Sequence, residues 1–240
     1  MAAPRLPAVN MVTGRDAVVA AAGDSPYARL HTSGEVTGYL IPGTTAWVDQ
    51  GPTGPVACAV GDPTRAAELL AGSGAQWLHL PRATTEELAQ LPVAHRDDWE
   101  YLWTVTPPPP RAGEEAVTQL TSADDADIEA LLTVAFPKTA TRPGDSRVRS
   151  WFGIRAEGRL VACGADRSRG GVGFLAGLAV SPDQRGRGLG AALTAAIVRH
   201  HLDEYGISSL GVMAGNDPAL RLYRGLGFTS VLHRTTVRIA

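Results

Sequence analysis

Gly177-Leu-Ala-Val-Ser-Pro-Asp-Gln-Arg-Gly-Arg-Gly-Leu-Gly190 runs from an apolar stretch through a Ser-Pro-Asp turn into alternating arginines and glycines. A helical pattern follows at once. Leu189, Leu193, Ala196 and Ile197 recur on one face, Arg199, His200, Asp203 and Glu204 form a more polar stretch, and Gly206 is a natural stop. Strand, glycine loop and helix in this order describe an anion cradle. Gly186, Gly188 and Gly190 let the backbone approach a ligand closely, and a helix that starts here aims its unpaired N–H groups at a phosphate.

The rest of the chain bounds what such a cradle can serve. With 240 residues, 44% of them hydrophobic and 19% charged, it can bury a substantial core as one large or two small domains. Its 22 basic and 24 acidic side chains leave no overall positive excess to track a nucleic-acid backbone or an anionic membrane, so neither is expected as a partner. Cys58 and Cys163 each lie in a short apolar run without CxxC spacing, which reads as two buried free thiols and a reducing compartment. No apolar stretch approaches the ~20 residues that span a bilayer. Ala17–Ala22, between Asp16 and Asp24, is too short and too closely flanked by charge for a signal peptide. The expectation is a soluble, cytoplasmic protein.

Pro107-Pro-Pro-Pro110 favours a stiff polyproline spacer and divides the chain. This predicts an N-terminal α/β domain over 1–106, a Pro-rich linker over 107–113 and a second domain over 114–240. Before the linker, Glu35–Ile41 and Thr45–Val48 around Pro42-Gly43 read as a hairpin, with further strands at Val56–Val60, Gln76–Leu80 and Trp99–Val105. Asp62 and Pro63 start a helix, and Thr84–Leu91 reads as a short one. After the linker, Ala116–Leu120 reads as a strand and Asp124–Phe136 as a helix. Trp151–Ile154 and Arg159–Cys163 form a hairpin around Glu157-Gly158. Phe174–Val180 is the strand entering the cradle. Ile207–Met213 is the next strand, and Asp217 with Pro218 caps a short helix carrying Leu220, Leu222 and Tyr223. Val231–Ile239 closes the pattern.

The glycine motif admits two phosphate readings. Gly186-x-Gly188-x-x-Ala191 fits a dinucleotide-binding fingerprint, but that motif needs its glycines directly after the strand, and here Ser181–Arg185 intervenes. The other spacing is Arg185-x-x-Gly188-x-Gly190, then Asn216 and Ala219 after the next strand, Tyr223, and Gly227-Phe228. This ordered combination resembles the GNAT acyltransferase family over roughly residues 114 to 240. The resemblance implies a bent mixed sheet flanked by helices, with the strands ending at Val180 and near Ala214 splayed to admit the pantetheine arm of acetyl-CoA or another acyl-CoA. It implies that Leu178, Ala179 and Val180 bond the pantetheine amides. Arg185, Gly186, Arg187, Gly188, Leu189, Gly190 and Ala191 would hold the pyrophosphate, with Arg221 and Arg224 as helpers. Asn216 would contact cofactor or water. Tyr223 would be the general acid for the departing thiolate and touch the cofactor there. The first domain is loosely similar to a degenerate GNAT-like half.

The implied reaction is acyl transfer, most simply acetyl transfer, from acyl-CoA to an amine of a small molecule, peptide or protein by direct attack. The strand Phe174–Val180 carries no acidic residue to serve as base, and Asp166, Glu157 and His233 are the remaining candidates. Deprotonating a lysine-like amine at pH 7 costs about 4.6 kcal/mol, against about 1.1 for an α-amine. A weakly basic acceptor is therefore the easier substrate. No metal is expected, since the adjacent His200 and His201 fall on different helix faces. A non-catalytic acyl-CoA sensor is the competing reading, and the oligomeric state stays open.

Overall fold

The computed structural model describes residues 8–51 and 54–240. Along the chain run β1 (Asn10–Thr13), α1 (Arg15–Ala21), α2 (Pro26–Leu30), β2 (Thr37–Ile41), β3 (Thr44–Gly51), β4 (Gly54–Gly61), α3 (Pro63–Leu70), β5 (Trp77–Pro81) and β6 (Val93–Thr104). There follow β7 (Val117–Leu120), α4 (Asp125–Ala135), β8 (Ser150–Ala156), β9 (Arg159–Asp166), β10 (Gly173–Val180), α5 (Leu189–Tyr205), β11 (Ser208–Met213), α6 (Asp217–Arg224) and β12 (Ser230–Ile239). The architecture is mixed α/β, as the patterning predicts.

The chain folds as two compact units. The first holds the described residues up to Tyr101 together with Met213–Gly215 and Leu232–Ala240; the second holds Leu102–Val212 and Asn216–Val231. Pro107–Pro110 has neither helix nor strand and belongs to the second unit. There Arg199 of α5 donates to the Pro108 carbonyl at 2.8 Å and to Glu114 at 2.9 Å.

In the first unit the strands run β1-β2-β3-β4-β5-β12. The β2–β3 hairpin pairs Ile41 with Thr44 across Pro42-Gly43, as its alternation predicts. Asp62 caps α3, accepting from the Arg65 amide at 2.9 Å. Ala66, Ala67 and Leu70 of α3 bury against Ala57, Ala59, Leu78 and Leu80. The segment Leu232–Ile239 pairs antiparallel with β5 and carries Arg234 into the interior, its guanidinium carbon 3.9 Å from the centre of the Tyr27 ring. Arg234 Nη2 donates to the His79 carbonyl at 2.8 Å. Burial, helped by the Arg234 charge, lowers the His79 pKa to about 4, so this imidazole is neutral. One expectation is corrected here. Thr84–Leu91 is a run of turns: Thr84 and Glu87 bond each other's amides as in a capping box, but the following bonds, Ala89 to Glu86 and Leu91 to Leu88, are of the i to i+3 kind and no helix develops. Ala17–Ala22 lies largely within α1, whose Val18 and Val19 are buried.

In the second unit the order is β11-β10-β9-β8-β7, with β10–β11 parallel and the other pairs antiparallel. Side chains alternate across this sheet, so each face needs a helix. Val161, Ala162 and Leu175 join Leu193, Ile197 and Val198 of α5 in one cluster. Leu160, Cys163 and Ala165 join Ile128, Leu131 and Leu132 of α4 in another. Cys58 and Cys163 are both buried and not in a disulfide. No helix among the described residues is long and apolar enough to cross a membrane.

Candidate functional site

The site begins where two parallel strands part. β10 and β11 pair only at Gly173–Ser208, Phe174–Ser209 and Leu175–Leu210. On its other side β10 pairs with β9 up to Ala176–Ala165, loses register, and resumes at Ala179–Cys163. Gly177 sits in that bulge at φ 60°, and a Cβ there would lie 3.4 Å from Thr141 and Trp151. A bulge of this kind bends its strand and raises local twist, which turns Leu178–Val180 away from β11.

Beyond the turn, Gly186 and Gly188 adopt φ 78° and 81° with open space where a Cβ would project. Left-handed residues between ordinary ones point successive N–H groups inward, the geometry of an anion nest. Gly188 is also the N-cap of the 17-residue helix α5, whose first amides and dipole add to the same positive end.

Bulge, loop and α6 together line a cavity of about 650 Å3. Of the residues expected to hold the donor, Leu178, Ala179, Val180, Arg185, Gly186, Gly188, Leu189, Gly190, Ala191 and Asn216 line it. Arg187 is exposed outside that lining. Arg185 donates to the carbonyls of Val180 and Ala135, each at 3.3 Å, which ties the loop to β10 and to the end of α4. Arg221 and Arg224 occupy the last turn of α6, the end away from Asn216, and do not line the cavity. Ala135, Gln184, Pro218, Ala219 and Leu222 line it as well and escaped the sequence reading. Only the 218/219/222 spacing along one helix face signals them.

Asn216 corrects an expectation. It, and not Asp217, is the N-cap of α6: its Oδ1 accepts from the Ala219 amide at 3.3 Å, and Pro218 falls one position further into the helix. Cap geometry leaves the Asn216 amide NH2 to donate elsewhere. Tyr223, on the same helix, is 7% exposed and packs edge-on to Phe228 at 5.9 Å between ring centres. It is not itself part of the cavity lining. Burial pushes its phenol up to about 12, so it holds its proton throughout the neutral range.

The three candidate bases fall elsewhere. Glu157 is an exposed turn residue at φ 51° between β8 and β9. His233 lies in the first unit, hydrogen-bonded to Glu100. Asp166 is 1% exposed at the end of β9 and bonds the Ser168 amide at 2.7 Å and the Ser168 hydroxyl. Burial opposes its charge, but the contacts with His201 and Ser168 outweigh this and hold its carboxyl below the usual range. His200 and His201 differ in exposure, yet both bring Nε2 within 4 Å of Asp166, at 3.9 and 3.2 Å. Arg149 stands 3.9 Å from Asp166 and 3.2 Å from Glu204. The stretch Arg167–Gly171, which resembles an RGG fragment in sequence, is a turn between β9 and β10 with an Arg169–Val172 bridge and a buried Ser168.

Among solved structures, a GNAT-family protein from Novosphingobium aromaticivorans aligns with 91% of this chain and 94% of its own at 24% identity and a TM-score of 0.59. A GCN5-related N-acetyltransferase from Sphaerobacter thermophilus aligns over 97% and 96% at 18% identity and a TM-score of 0.55. An acetyltransferase of the GNAT family from Colwellia psychrerythraea aligns over 97% and 100% at 11% identity and a TM-score of 0.56. At these identities the likeness is one of fold. No curated protein matches the chain in sequence. The acetyltransferase (GNAT) family matches residues 115–228 directly, taking in the bulged strand, the Arg/Gly loop, Asn216 and Tyr223. Residues 115–228 are thus the part of the chain that matches this family.

Proposed function

We propose that the second unit binds acetyl-CoA, or another acyl-CoA, in the cavity between β10, the 185–191 loop and α6, and transfers the acyl group to an amine. The observation that carries this reading is the coincidence of two features in one cavity: parallel strands that stop pairing after Leu175–Leu210, and a glycine nest at the N-terminus of α5. The first offers backbone to an extended amide-bearing arm, and the second offers N–H groups to its phosphates.

The amine nitrogen attacks the thioester carbon, the C–N bond forms, the C–S bond breaks, and the thiolate takes a proton while the amine loses one to solvent. Tyr223 is the proposed proton donor. A phenol near 12 gives its proton to a thiolate of conjugate pKa ~8.5 at a cost of about 4.8 kcal/mol. The replacement of a thioester by an amide offsets that uphill step. No carboxylate lines the cavity, so the acceptor enters most readily as an amine already unprotonated in solution. We infer that weakly basic amines turn over faster than lysine side chains.

Calorimetry with acetyl-CoA, followed by thiol release across an amine panel, tests this reading. Saturable binding with CoA release in the presence of an amine is expected. Absence of acetyl-CoA binding overturns it. Binding without turnover on any amine replaces it with an acyl-CoA sensor, which the lack of a lining carboxylate favours.

A further inference from the structure

Arg167 shares its one nearby carboxylate, Asp145, with a second arginine. It follows β9, its amide donates to the Phe174 carbonyl at 2.8 Å, and its side chain is 19% exposed. One guanidinium nitrogen, Nη1, donates to Thr141 Oγ1 at 3.2 Å, while Nε is buried without a hydrogen-bond partner. The nearest carboxylate is Asp145, whose Oδ2 lies 4.0 Å from that Nε. Asp145 is already held by Arg147, with Oδ1 2.8 Å from Nε and Oδ2 2.9 Å from Nη2. Burial first, and then the Arg147 charge, push the Arg167 guanidinium down to about 10. Two arginines thus share one carboxylate, and the inner one has a donor left over. A buried, hydrogen-bond-competent cation is costly unless something negative completes it.

Its position says what that something is for. Thr141, which Arg167 bonds, stands 3.4 Å from the place a Cβ on Gly177 would take. Gly177 is the bulge residue, and the donor cavity begins at the next residue, Leu178. The phosphate loop lies at the other end of that strand segment, beyond Val180. An acyl-CoA laid with its phosphates on the loop and its arm along Val180 to Leu178 brings the thioester toward Gly177, and so toward Thr141 and Arg167.

Resting on the acyltransferase reading, we propose that Arg167 binds a carboxylate carried by the acceptor, so that the acceptor is an amine that also bears a carboxylate, its amino group at the bulge and its carboxylate on the guanidinium, the least basic of such amines turning over fastest. Arginine suits this because its planar fork accommodates a carboxylate with two parallel N–H donors.

The test uses the full chain, with acetyl-CoA affinity measured first by calorimetry. Initial rates are then taken with amino acids and with their primary carboxamides, concentrations expressed as unprotonated amine. The acids should show a KM at least about 10-fold below the amides. R167Q should raise KM for the acids about 30-fold, leave the amides and acetyl-CoA affinity within about twofold, and R167K should recover part of the loss. T141V controls for a purely structural role, because it cuts the same tie between β9 and the 136–149 loop. If T141V and R167Q raise KM for acids and amides alike, Arg167 only anchors that loop and the proposal falls. Equal KM for acids and amides in the unaltered protein also overturns it, while the acyltransferase reading stands. Failure to bind acetyl-CoA removes that reading and this one together, and the calorimetry shows which has happened.

Discussion

Asn216 has two jobs that substitution can separate. Its carboxamide oxygen caps α6, and its NH2 is proposed to meet the ligand of the cavity that Asn216 lines. Asn216→Ala should cost about 1 kcal/mol, lowering Tm by roughly 2–4 °C, and should also weaken acetyl-CoA binding. Asn216→Asp keeps a capping oxygen at the positive end of a helix, so thermal stability should hold while acetyl-CoA affinity still falls, because a donor has become a negative charge facing an anionic ligand. Melting curves set beside calorimetry read both effects; equal affinity in all three proteins would remove Asn216 from the binding site. Tyr223 separates in another way. Tyr223→Phe keeps the edge-on packing against Phe228 and should lower kcat about 10- to 100-fold with acetyl-CoA affinity unchanged. Since burial holds the phenol near 12, the kcat profile of the unaltered enzyme should rise with pH as the acceptor loses its proton and show no falling limb from Tyr223 below about pH 11. An unchanged kcat in the Phe variant would make Tyr223 a packing residue.

At the scale of elements, the proposed binding role of the 185–191 loop rests on backbone direction more than on side-chain charge. Arg185 is tied to two carbonyls, and Arg187 lies outside the cavity lining. Gly188→Ala forces an L-residue to φ 81° and should cost about 1–2 kcal/mol there, shifting the amides that form the nest. The expected outcome is acetyl-CoA bound about 10-fold or more weakly with little change in kcat at saturation. Arg187→Ala should change affinity less than twofold to threefold at physiological salt, since an exposed charge is screened. A larger effect from Arg187 than from Gly188 would reverse this ordering. The loop was legible because glycine spacing between a strand and a helix has few physical uses. The bulge at Gly177 was not: one positive-φ glycine inside an apolar run does not announce that pairing fails around it. The N-cap of α6 was misread by one residue because Asn216 and Asp217 are both competent caps, and only the position of Pro218 in the turn decides between them. Arg167 was hidden for a related reason, since a side chain beside Gly170-Gly171 reads as solvent-facing until Thr141 and Asp145, more than twenty residues away, are seen to cover it.

For the whole molecule, buried protons set an alkaline limit. Burial raises the Tyr223 phenol and the Cys163 thiol to about 12 and the Tyr27 phenol well above its ordinary value. The folded state therefore holds these protons more tightly than the unfolded chain does. The stability they contribute is complete below the unfolded values, near 9 for the thiol and 10 for the phenols, and is lost as pH rises toward the folded ones. For Tyr223 the interval from 10 to about 12 corresponds to roughly 2.7 kcal/mol. Denaturant midpoints should fall between pH 9 and 11.5, and Tyr223→Phe should fall less steeply; parallel curves would contradict the assignment. The sequence announced nearly every strand, because alternation is a local signal. It did not say where the strand at 232–239 belongs, because strand partners are chosen by contacts far apart in the chain. That strand lies beside β5, with Arg234 over Tyr27 and Thr236 accepting from Trp99 at 2.8 Å. During synthesis the first unit therefore leaves the ribosome with the edge of β5 unpaired, and it stays so until roughly 130 further residues have been added, on the order of 6–26 s at ~5–20 residues per second. The unit that is translated first is the one completed last, so a holding chaperone has its natural target in the N-terminal half of the nascent chain.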